Sequence, residues 1–180
     1  YYNRGNAYFR LGLFEKAIAD YNYAIRLDPD YAEGYYSRGD AFVKLGQYQN
    51  ALHDFDKAVL LKPDYAKAYN NRGIVYGMLG RYDLAINNFN EIIRRQPDYS
   101  SAYCNRGFAF YKLGQYKDAL DDYSKAITLN PNYVKAYFNR ADAYLKLGRH
   151  QNAAEDLNKA GLLKKDHEEM SLTIPPGRLP

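Results

Sequence analysis

The distribution of apolar and polar residues along the chain predicts pairs of short helices. In residues 100–133, two sets of apolar or small residues recur at intervals of mostly three or four positions, which is the spacing of one face of an α-helix. The first set is Tyr103, Gly107, Phe110 and Leu113. The second set is Tyr116, Ala119, Leu120, Tyr123, Ala126 and Ile127. We therefore expect two amphipathic helices in this segment, joined by a connection of only a few residues.

Glycine and proline mark the ends of these helices. Gly114 follows the first helix, at a point where a helix commonly needs a residue in the left-handed conformation. Pro131 stops the second helix, because its ring disfavours helical geometry in the preceding residue, Asn130. The pattern thus predicts a complete helix–turn–helix unit.

This unit recurs along the chain with a period of 34 residues. Three residue types keep the period: Pro29, Pro63, Pro97 and Pro131; Gly12, Gly46, Gly80, Gly114 and Gly148; Arg4, Arg38, Arg72, Arg106 and Arg140. The predicted units are residues 32–65, 66–99, 100–133 and 134–167, preceded by an incomplete unit, 1–31, and followed by a C-terminal tail, 168–180. We expect an all-α fold of five tandem antiparallel helix pairs.

Small and aromatic residues also hold fixed repeat positions. The small ones are Gly5, Gly39, Gly73, Gly107 and Ala141 in one position, and Ala17, Ala51, Ala85, Ala119 and Ala153 in another. Such residues let the two helices of a pair approach closely. The chain has 21 Tyr and no Trp, and most Tyr follow the repeat. We interpret them as packing within and between repeats, since a stacking platform for bases or sugars needs aromatic rings on a free face.

These positions resemble the tetratricopeptide repeat family. The residues that carry the resemblance in one unit are Tyr69, Gly73, Tyr76, Gly80, Tyr82, Ala85, Phe89 and Pro97. Tyr stands where the family often has Trp, Arg106 and its equivalents stand where Leu is common, and Lys165 replaces the final Pro. The resemblance implies a right-handed α-solenoid whose concave wall is formed by the first helix of each pair. It also implies a scaffold that holds a peptide or a partner helix in this groove.

One stripe of each first helix is expected to face the groove. In the fourth repeat the stripe is Ser101, Cys104, Asn105, Phe108, Tyr111 and Lys112. Across the repeats, one position of the stripe holds Asn3, Ser37, Asn71, Asn105 and Asn139. An Asn side chain offers a donor and an acceptor, so this row can pair with a peptide backbone of any sequence. The alternative is that the row is a solvated surface.

Charged and apolar residues surround this Asn row. The basic residues are Arg10, Lys44, Lys67, Lys112, Lys135 and Lys146, and the acidic ones are Glu33, Asp40 and Asp142. The apolar residues are Ile74, Met78, Cys104, Phe108, Tyr111 and Phe138. Exposed apolar groups ringed by charge commonly mark a binding site. We expect an extended or helical peptide with apolar anchors and acidic residues; the alternative is that the lysines only keep the wall soluble.

Two other recognition modes are conceivable for this surface. Some family members grip acidic chaperone C-termini with a two-carboxylate clamp of Lys, Asn and Arg, but in every frame this sequence lacks part of that set, so we do not expect chaperone-tail binding. The arginine row could form a series of anion sites. It could instead pair with Asp20, Asp54, Asp122 and Asp156 on the second helices, a row that Asn88 interrupts. We favour the pairing, because the arginines lie beside the packed face.

No constellation for catalysis is evident. His53, His150 and His167 occupy three different repeat positions, Cys104 has no clear His partner in sequence, and the glycines follow the repeat instead of a phosphate-binding motif. The sequence predicts a protein that is not an enzyme and has no metal or other cofactor. The chain starts at Tyr1 inside a predicted helix, so a regulatory or substrate-recruiting part of a larger enzyme is the alternative.

Composition and charge limit the cellular compartments and the classes of ligand that fit the sequence. A net charge of +4 does not favour nucleic acid as the ligand, and no apolar run approaches the roughly 20 residues that a membrane span needs. A single Cys fits a reducing compartment, so a cytoplasmic location is expected.

The tail suggests self-association. Met170, Leu172 and Ile174 alternate with polar residues, which fits an extended strand better than a helix. We expect the tail to lie across a groove or an exposed end repeat, in a neighbouring molecule, and so to form a homo-oligomer. A short helical stub that covers the fifth repeat is the competing interpretation.

Overall fold

A computed structural model describes the chain over residues 1–173, with side chains through residue 164. This part of the chain contains ten α-helices and no strand. In chain order the helices are α1 (Tyr2–Arg10), α2 (Phe14–Leu27), α3 (Ala32–Lys44), α4 (Tyr48–Leu61), α5 (Ala66–Met78), α6 (Tyr82–Arg95), α7 (Ser100–Lys112), α8 (Tyr116–Leu129), α9 (Val134–Lys146) and α10 (His150–Thr173). The odd-numbered helices are the first helices of the predicted pairs, and the even-numbered ones are the second helices. The all-α prediction is confirmed.

The turn between the two helices of a pair depends on its glycine. Gly46 has a φ of 71°, a conformation that a residue with a Cβ rarely adopts. Its N–H donates to the Val43 carbonyl at 3.0 Å, and the next N–H, from Gln47, donates to the Phe42 carbonyl at 2.9 Å. These bonds use carbonyl groups that the end of α3 would otherwise leave unpaired. The predicted role of the periodic glycines is confirmed.

The second helices end just before the periodic prolines. At the end of α8, Asn130 leaves the helix with a φ of −138°, in an extended conformation. Its side-chain oxygen accepts a hydrogen bond from the N–H of Asn132 at 3.2 Å, across Pro131. The chain can then reverse direction within a few residues and begin α9.

The small residues lie where two helices of a pair touch. A Cβ added to Gly73 of α5 would come within 2.8 Å of the Phe89 Cε1 atom of α6, so a larger residue would push the helices apart. On the second helices, Ala51, Ala85 and Ala119 are each at most 1 % exposed. The predicted close approach is confirmed.

The helices form two compact units, Tyr1–Pro97 and Asp98–Pro180, here called unit 1 and unit 2. In unit 1, which contains α1 to α6, the first helices contact one another in order, α1 with α3 and α3 with α5, and the second helices α2 and α4 contact α3 and α5 respectively. In unit 2 the same relations hold for α7, α8 and α9, and α10 packs on α9. Each unit therefore has one layer of first helices and one layer of second helices.

Tyrosine rings fill space within and between the repeats of a unit. Tyr21 and Tyr123, on second helices, are each 1 % exposed and pack against the small residues of their pairs. Between repeats, Tyr36 and Tyr65, whose ring centroids are 5.0 Å apart, pack against a buried cluster that includes Ala68 of the next repeat. The prediction that tyrosine mainly serves packing is confirmed at these positions.

The end of the array differs from the prediction. The repeat spacing predicts a fifth unit that ends at residue 167 and a separate tail after it, but α10 continues without a break to Thr173. The extended strand predicted from Met170 is therefore wrong up to Thr173, because backbone hydrogen bonding within one long helix overrides a short alternating pattern. Ile174 and the following residues of the predicted tail lie outside the described part, and self-association stays a prediction.

Candidate peptide-binding faces

The first helices of unit 1 carry two adjoining cavities. The smaller, of about 190 Å³, is lined by Asn6, Phe9, Arg10, Tyr21, Ser37 and Asp40. The larger, of about 380 Å³, is lined by Phe9, Asp40, Val43, Lys44, Asn71, Ile74, Val75 and Met78. We call this surface of α1, α3 and α5 the unit 1 face. It combines an apolar floor with polar groups of both charge signs.

Hydrogen bonds orient the polar groups of the smaller cavity. The Tyr21 hydroxyl donates to the side-chain oxygen of Asn6 at 2.8 Å. Burial raises the pKa of Tyr21 to about 12, so this hydroxyl keeps its proton at neutral pH. Because the Asn6 oxygen is the acceptor, its amide nitrogen is left as a donor group at the cavity, where it can serve a ligand carbonyl.

Asp40 lies between the two cavities and lines both. Burial raises the pKa of its carboxyl group, although hydrogen bonds from Asn71 and Tyr36 and the charge of Lys44 act in the opposite direction. The Asn71 amide donates to the Asp40 Oδ1 atom at 2.5 Å and to the Tyr36 hydroxyl at 3.2 Å. The Asp40 carboxylate is thus tied to the next repeat and also borders the binding surface.

The predicted Asn row has a partly internal role. Within unit 1, Ser37 pairs with the Tyr2 hydroxyl at 3.1 Å, and Asn71 uses its amide on Tyr36 and Asp40. Within unit 2, the Asn139 amide points to the Cys104 Sγ atom at 3.8 Å. Sequence spacing could not distinguish these contacts with the preceding first helix from contacts with a ligand. Asn3 is exposed and Asn105 is half-buried, and ligand contact by the row stays a prediction.

The unit 2 face, formed by α7 and α9, presents exposed aromatic and basic side chains. Phe108 is 40 % exposed and Phe138 is 41 % exposed. The Lys112 Nζ atom lies 5.3 Å from the centre of the Phe108 ring, within the range of a cation–π contact. Tyr111 is half-buried, and its ring meets the ring of Tyr116 of α8 edge-on, with centroids 5.4 Å apart. The exposed charged residues of this face are Lys112, Lys135, Lys146 and Asp142.

Cys104 is not on this exposed surface, contrary to the prediction. Its side chain is completely buried, because Tyr133, just before α9, and Asn139 of α9 lie against it. Burial also raises the pKa of the thiol, which opposes formation of a nucleophilic thiolate. The apolar patch of unit 2 therefore consists of Phe108, Phe138 and the partly exposed Tyr111.

The charges of the unit 1 face are also partly internal. Glu33 accepts a hydrogen bond from Lys62 at 2.9 Å, so it is paired with the end of α4. Lys67, together with Lys44, is exposed on the first helices. With Glu33 paired, these lysines and Arg10 leave the face more attractive to an acidic ligand than the sequence count indicated.

The arginine row is structural. In the second repeat, Arg38 donates through Nε and Nη2 to both Asp54 carboxylate oxygens, at 2.7 and 2.6 Å, and through Nη1 to the Asn22 side chain at 2.6 Å. It therefore links the second helix of its own pair to that of the preceding pair. The same two-bond pairing joins Arg4 to Asp20, Arg106 to Asp122, and Arg140 to Asp156. The carboxylates occupy the N–H groups that an anion would use.

Metal-binding arrangements are absent from the described residues. No group of three His, Cys, Asp or Glu side chains in this part of the chain could hold a metal ion. His53 lies on α4 in unit 1 and His150 begins α10 in unit 2. Among the described helices, none is long and apolar enough to cross a membrane.

Sequence reasoning did not select three residues that line the cavities of unit 1. These residues are Asn6, Phe9 and Val43. A signal was present, because Phe9 and Val43 hold the repeat position of Tyr111. Following each position of the stripe through all repeats would have found them.

Comparisons with known proteins agree with this architecture. Models described as TPR repeat match residues 5–46 and 39–80, and models described as tetratricopeptide repeat match residues 66–99, 100–133 and 123–155. No curated protein matches the chain significantly.

Solved structures of similar fold include those of MamA and YrrB. One MamA crystal structure is 25% identical over 92% of this chain and 96% of that chain, with a TM-score of 0.83. A MamA structure from Desulfovibrio magneticus RS-1 is 26% identical over 91% of this chain and 93% of that chain, also with a TM-score of 0.83. YrrB, described as a TPR protein with an unusual peptide-binding site, is 24% identical over 93% of this chain and 86% of that chain, with a TM-score of 0.74. At that identity, the likeness to YrrB shows the fold alone.

Proposed function

Because this chain belongs to the tetratricopeptide repeat family, whose members typically serve as protein-interaction scaffolds, we propose that its first-helix faces bind an extended or helical peptide segment of a partner protein. The ligand carries apolar anchors and acidic residues. Binding, and not catalysis, is the activity of the protein.

The larger cavity of the unit 1 face is the observation that carries this proposal. Ile74 and Met78 give it an apolar wall, and Met78 is 57 % exposed. A flexible methionine at a surface adapts to different apolar partners. Lys44 lines the same cavity, so an apolar side chain placed there has a cation beside it for an acidic neighbour.

The unit 2 face supports the same ligand chemistry by another arrangement. Phe108 offers an exposed ring, with the Lys112 ammonium group close to it. Aromatic anchors that are surrounded by charge are typical of interaction surfaces. YrrB, which has the same fold, is described as having a peptide-binding site, and this gives a precedent for peptide recognition by such a chain.

Selection from a random peptide-display library on the wild-type chain tests the proposal. We expect the selected peptides to be enriched in apolar and acidic residues. Lys44→Glu should weaken the binding of a selected peptide about tenfold, which corresponds to ~1.4 kcal/mol, and raising the salt concentration should reduce the difference between variant and wild type. Fluorescence anisotropy of the labelled peptide measures both effects.

The matched control is Lys57→Glu, which makes the same charge change on the exposed surface of second helix α4. This variant should bind the peptide nearly as well as the wild type. Equal losses in the two variants would mean that only net charge matters, and selected peptides without acidic residues would contradict the proposed ligand chemistry.

A further inference from the structure

Gly77 is a helical glycine on the unit 1 face that no contact within the protein explains. It lies in the last turn of α5, one residue before Met78, and holds the repeat position of the cavity residues Phe9 and Val43. A Cβ added to Gly77 would meet no heavy atom within 4 Å. Since glycine destabilises a helix relative to alanine, its presence here weakens α5 without easing any packing.

The other glycines of the third repeat have clear structural reasons. Gly73 lies one turn earlier, and a Cβ there would clash with Phe89 at 2.8 Å. Gly80 forms the turn after α5 with a φ of 72°. Gly77 has neither a close neighbour nor a positive φ. Its bare backbone is thus exceptional in this repeat.

The residues around Gly77 indicate which kind of ligand group could lie against its backbone. Ile74 and Met78 lie three residues before and one residue after Gly77, on the same side of α5, and both line the larger cavity. That cavity, of about 380 Å³, has room for a large side chain. Glycine at this point lowers the helix surface between the two apolar residues, so a ligand can approach the backbone closely.

The charges around the cavities indicate the sequence around such an anchor. Lys44 lines the larger cavity and Arg10 lines the smaller one, and both side chains are exposed. Asp40 is held by Asn71 of the neighbouring helix. The two exposed cations are therefore the groups that a ligand meets first, and acidic residues beside the anchor complement them.

We propose that the partner peptide places one large apolar side chain, flanked by acidic residues, against the backbone of α5 at Gly77. This inference rests on the proposed function and adds the position and the size of the anchor. Gly77 is the residue that determines this size. At the same repeat position, unit 2 has Tyr111 and Leu145, whose side chains cover the helix surface, so this anchor contact belongs to unit 1.

Substitution of Gly77 separates binding from folding, because the fold has room for a side chain there. The probe is a fluorescein-labelled peptide selected from the display library on the wild-type chain, and the readouts are its Kd and the Tm of each variant. We expect Gly77→Ala to raise the Tm by about 2–4 °C, since alanine favours the helix, and still to weaken binding. Gly77→Leu should weaken binding by about tenfold or more, because its side chain fills the anchor position.

Gly161→Ala is the matched control, since Gly161 of α10 is also a helical glycine with no heavy atom within 4 Å of an added Cβ. It should raise the Tm and leave the Kd unchanged. Replacing the large apolar residue of the peptide by Ala should weaken binding to the wild type much more than to Gly77→Leu. If Gly77→Ala and Gly77→Leu bind the peptide as the wild type does, the anchor position is wrong while the proposed function stands. If the wild type selects no peptide, both fail.

Discussion

Unit 1 and unit 2 use the same repeat positions to build different surfaces. At one position of the first helices, unit 1 has Phe9, Val43 and Gly77, and the first two line its cavities. Unit 2 has Tyr111 and Leu145 there, and Leu145 is 46 % exposed. Unit 1 therefore presents a recess, whereas unit 2 presents projecting apolar side chains beside lysines.

The inward-facing positions differ much less between the units. Each pair keeps a small residue at the contact between its helices, and each keeps an arginine that bonds to a second helix. One difference is the partner of the arginine, which is Asn88 in the third repeat and Asp122 in the fourth. Packing thus constrains the inward positions, while the outward positions of the first helices are free to set ligand chemistry.

The largest expected difference in stability between the two units concerns the residue that pairs with this arginine. Asp122→Ala in unit 2 should lower the free energy of unfolding by about 3 kcal/mol, because it leaves the largely buried guanidinium of Arg106 without its carboxylate. Asn88→Ala in unit 1 should cost less, about 1 kcal/mol, because the bond that it removes, from Arg72 Nε at 2.7 Å, goes to a neutral amide and not to a carboxylate. Urea unfolding of both variants gives these values.

Asp121→Ala is the control, since Asp121 is an exposed neighbour on the same helix and its loss should change stability little. Similar losses for Asp122→Ala and Asn88→Ala would show that the charge of the partner does not distinguish the two units.

A smaller loss of stability is expected from enlarging a buried alanine, at a position where the two units are alike. Ala85 in unit 1 and Ala119 in unit 2 occupy the same repeat position and are both buried. Ala85→Leu and Ala119→Leu should each overpack the contact between the helices of a pair and cost about 1–3 kcal/mol. Thermal unfolding followed by circular dichroism measures the loss, and Lys117→Ala on exposed α8 surface should be nearly neutral. A Tm of Ala119→Leu equal to that of Lys117→Ala would mean that the register of the pair is wrong.

The smallest expected effect is the pH dependence that Asp40 adds to unit 1. Burial raises the pKa of Asp40 from its ordinary value of 3.8, so between that value and the raised one the folded state binds more protons than the unfolded state. Stability therefore falls as the pH rises through this window, and the loss persists at neutral pH. Asp40→Asn should be more stable than the wild type at pH 7, and the difference should disappear at about pH 3.

Asp142→Asn tests the same repeat position in unit 2, where the side chain is exposed. Urea unfolding at both pH values should show little change for this variant. A larger loss of stability for Asp40→Asn at pH 7 than at pH 3 would contradict the direction of the Asp40 shift.

The repeat framework could be predicted from the sequence because its signals are local. A glycine that must adopt a positive φ, as Gly46 does, and a proline that ends a helix, as Pro131 does, act through the backbone of neighbouring residues. Helical spacing of apolar residues then identifies the inward side of each helix. The recurrence every 34 residues repeats these signals, so the helix pairs, the close-packed positions and the Arg–Asp pairing all followed from the sequence.

Only the tertiary structure decided what the outward stripe of each first helix contacts. The sequence placed Cys104, Asn71 and Asn139 on that stripe. In the structure, Asn139 of α9 lies against the buried Cys104, and Asn71 of α5 donates a hydrogen bond to Asp40 of α3. Helical spacing is the same for a side chain that lies between two adjacent first helices and for one that faces open space. Whether a given side chain is buried depends on how closely the next helix packs against it. The cavities of unit 1 and the open backbone at Gly77 arise from that packing, because a recess is defined by several helices at once and by no single segment of the sequence.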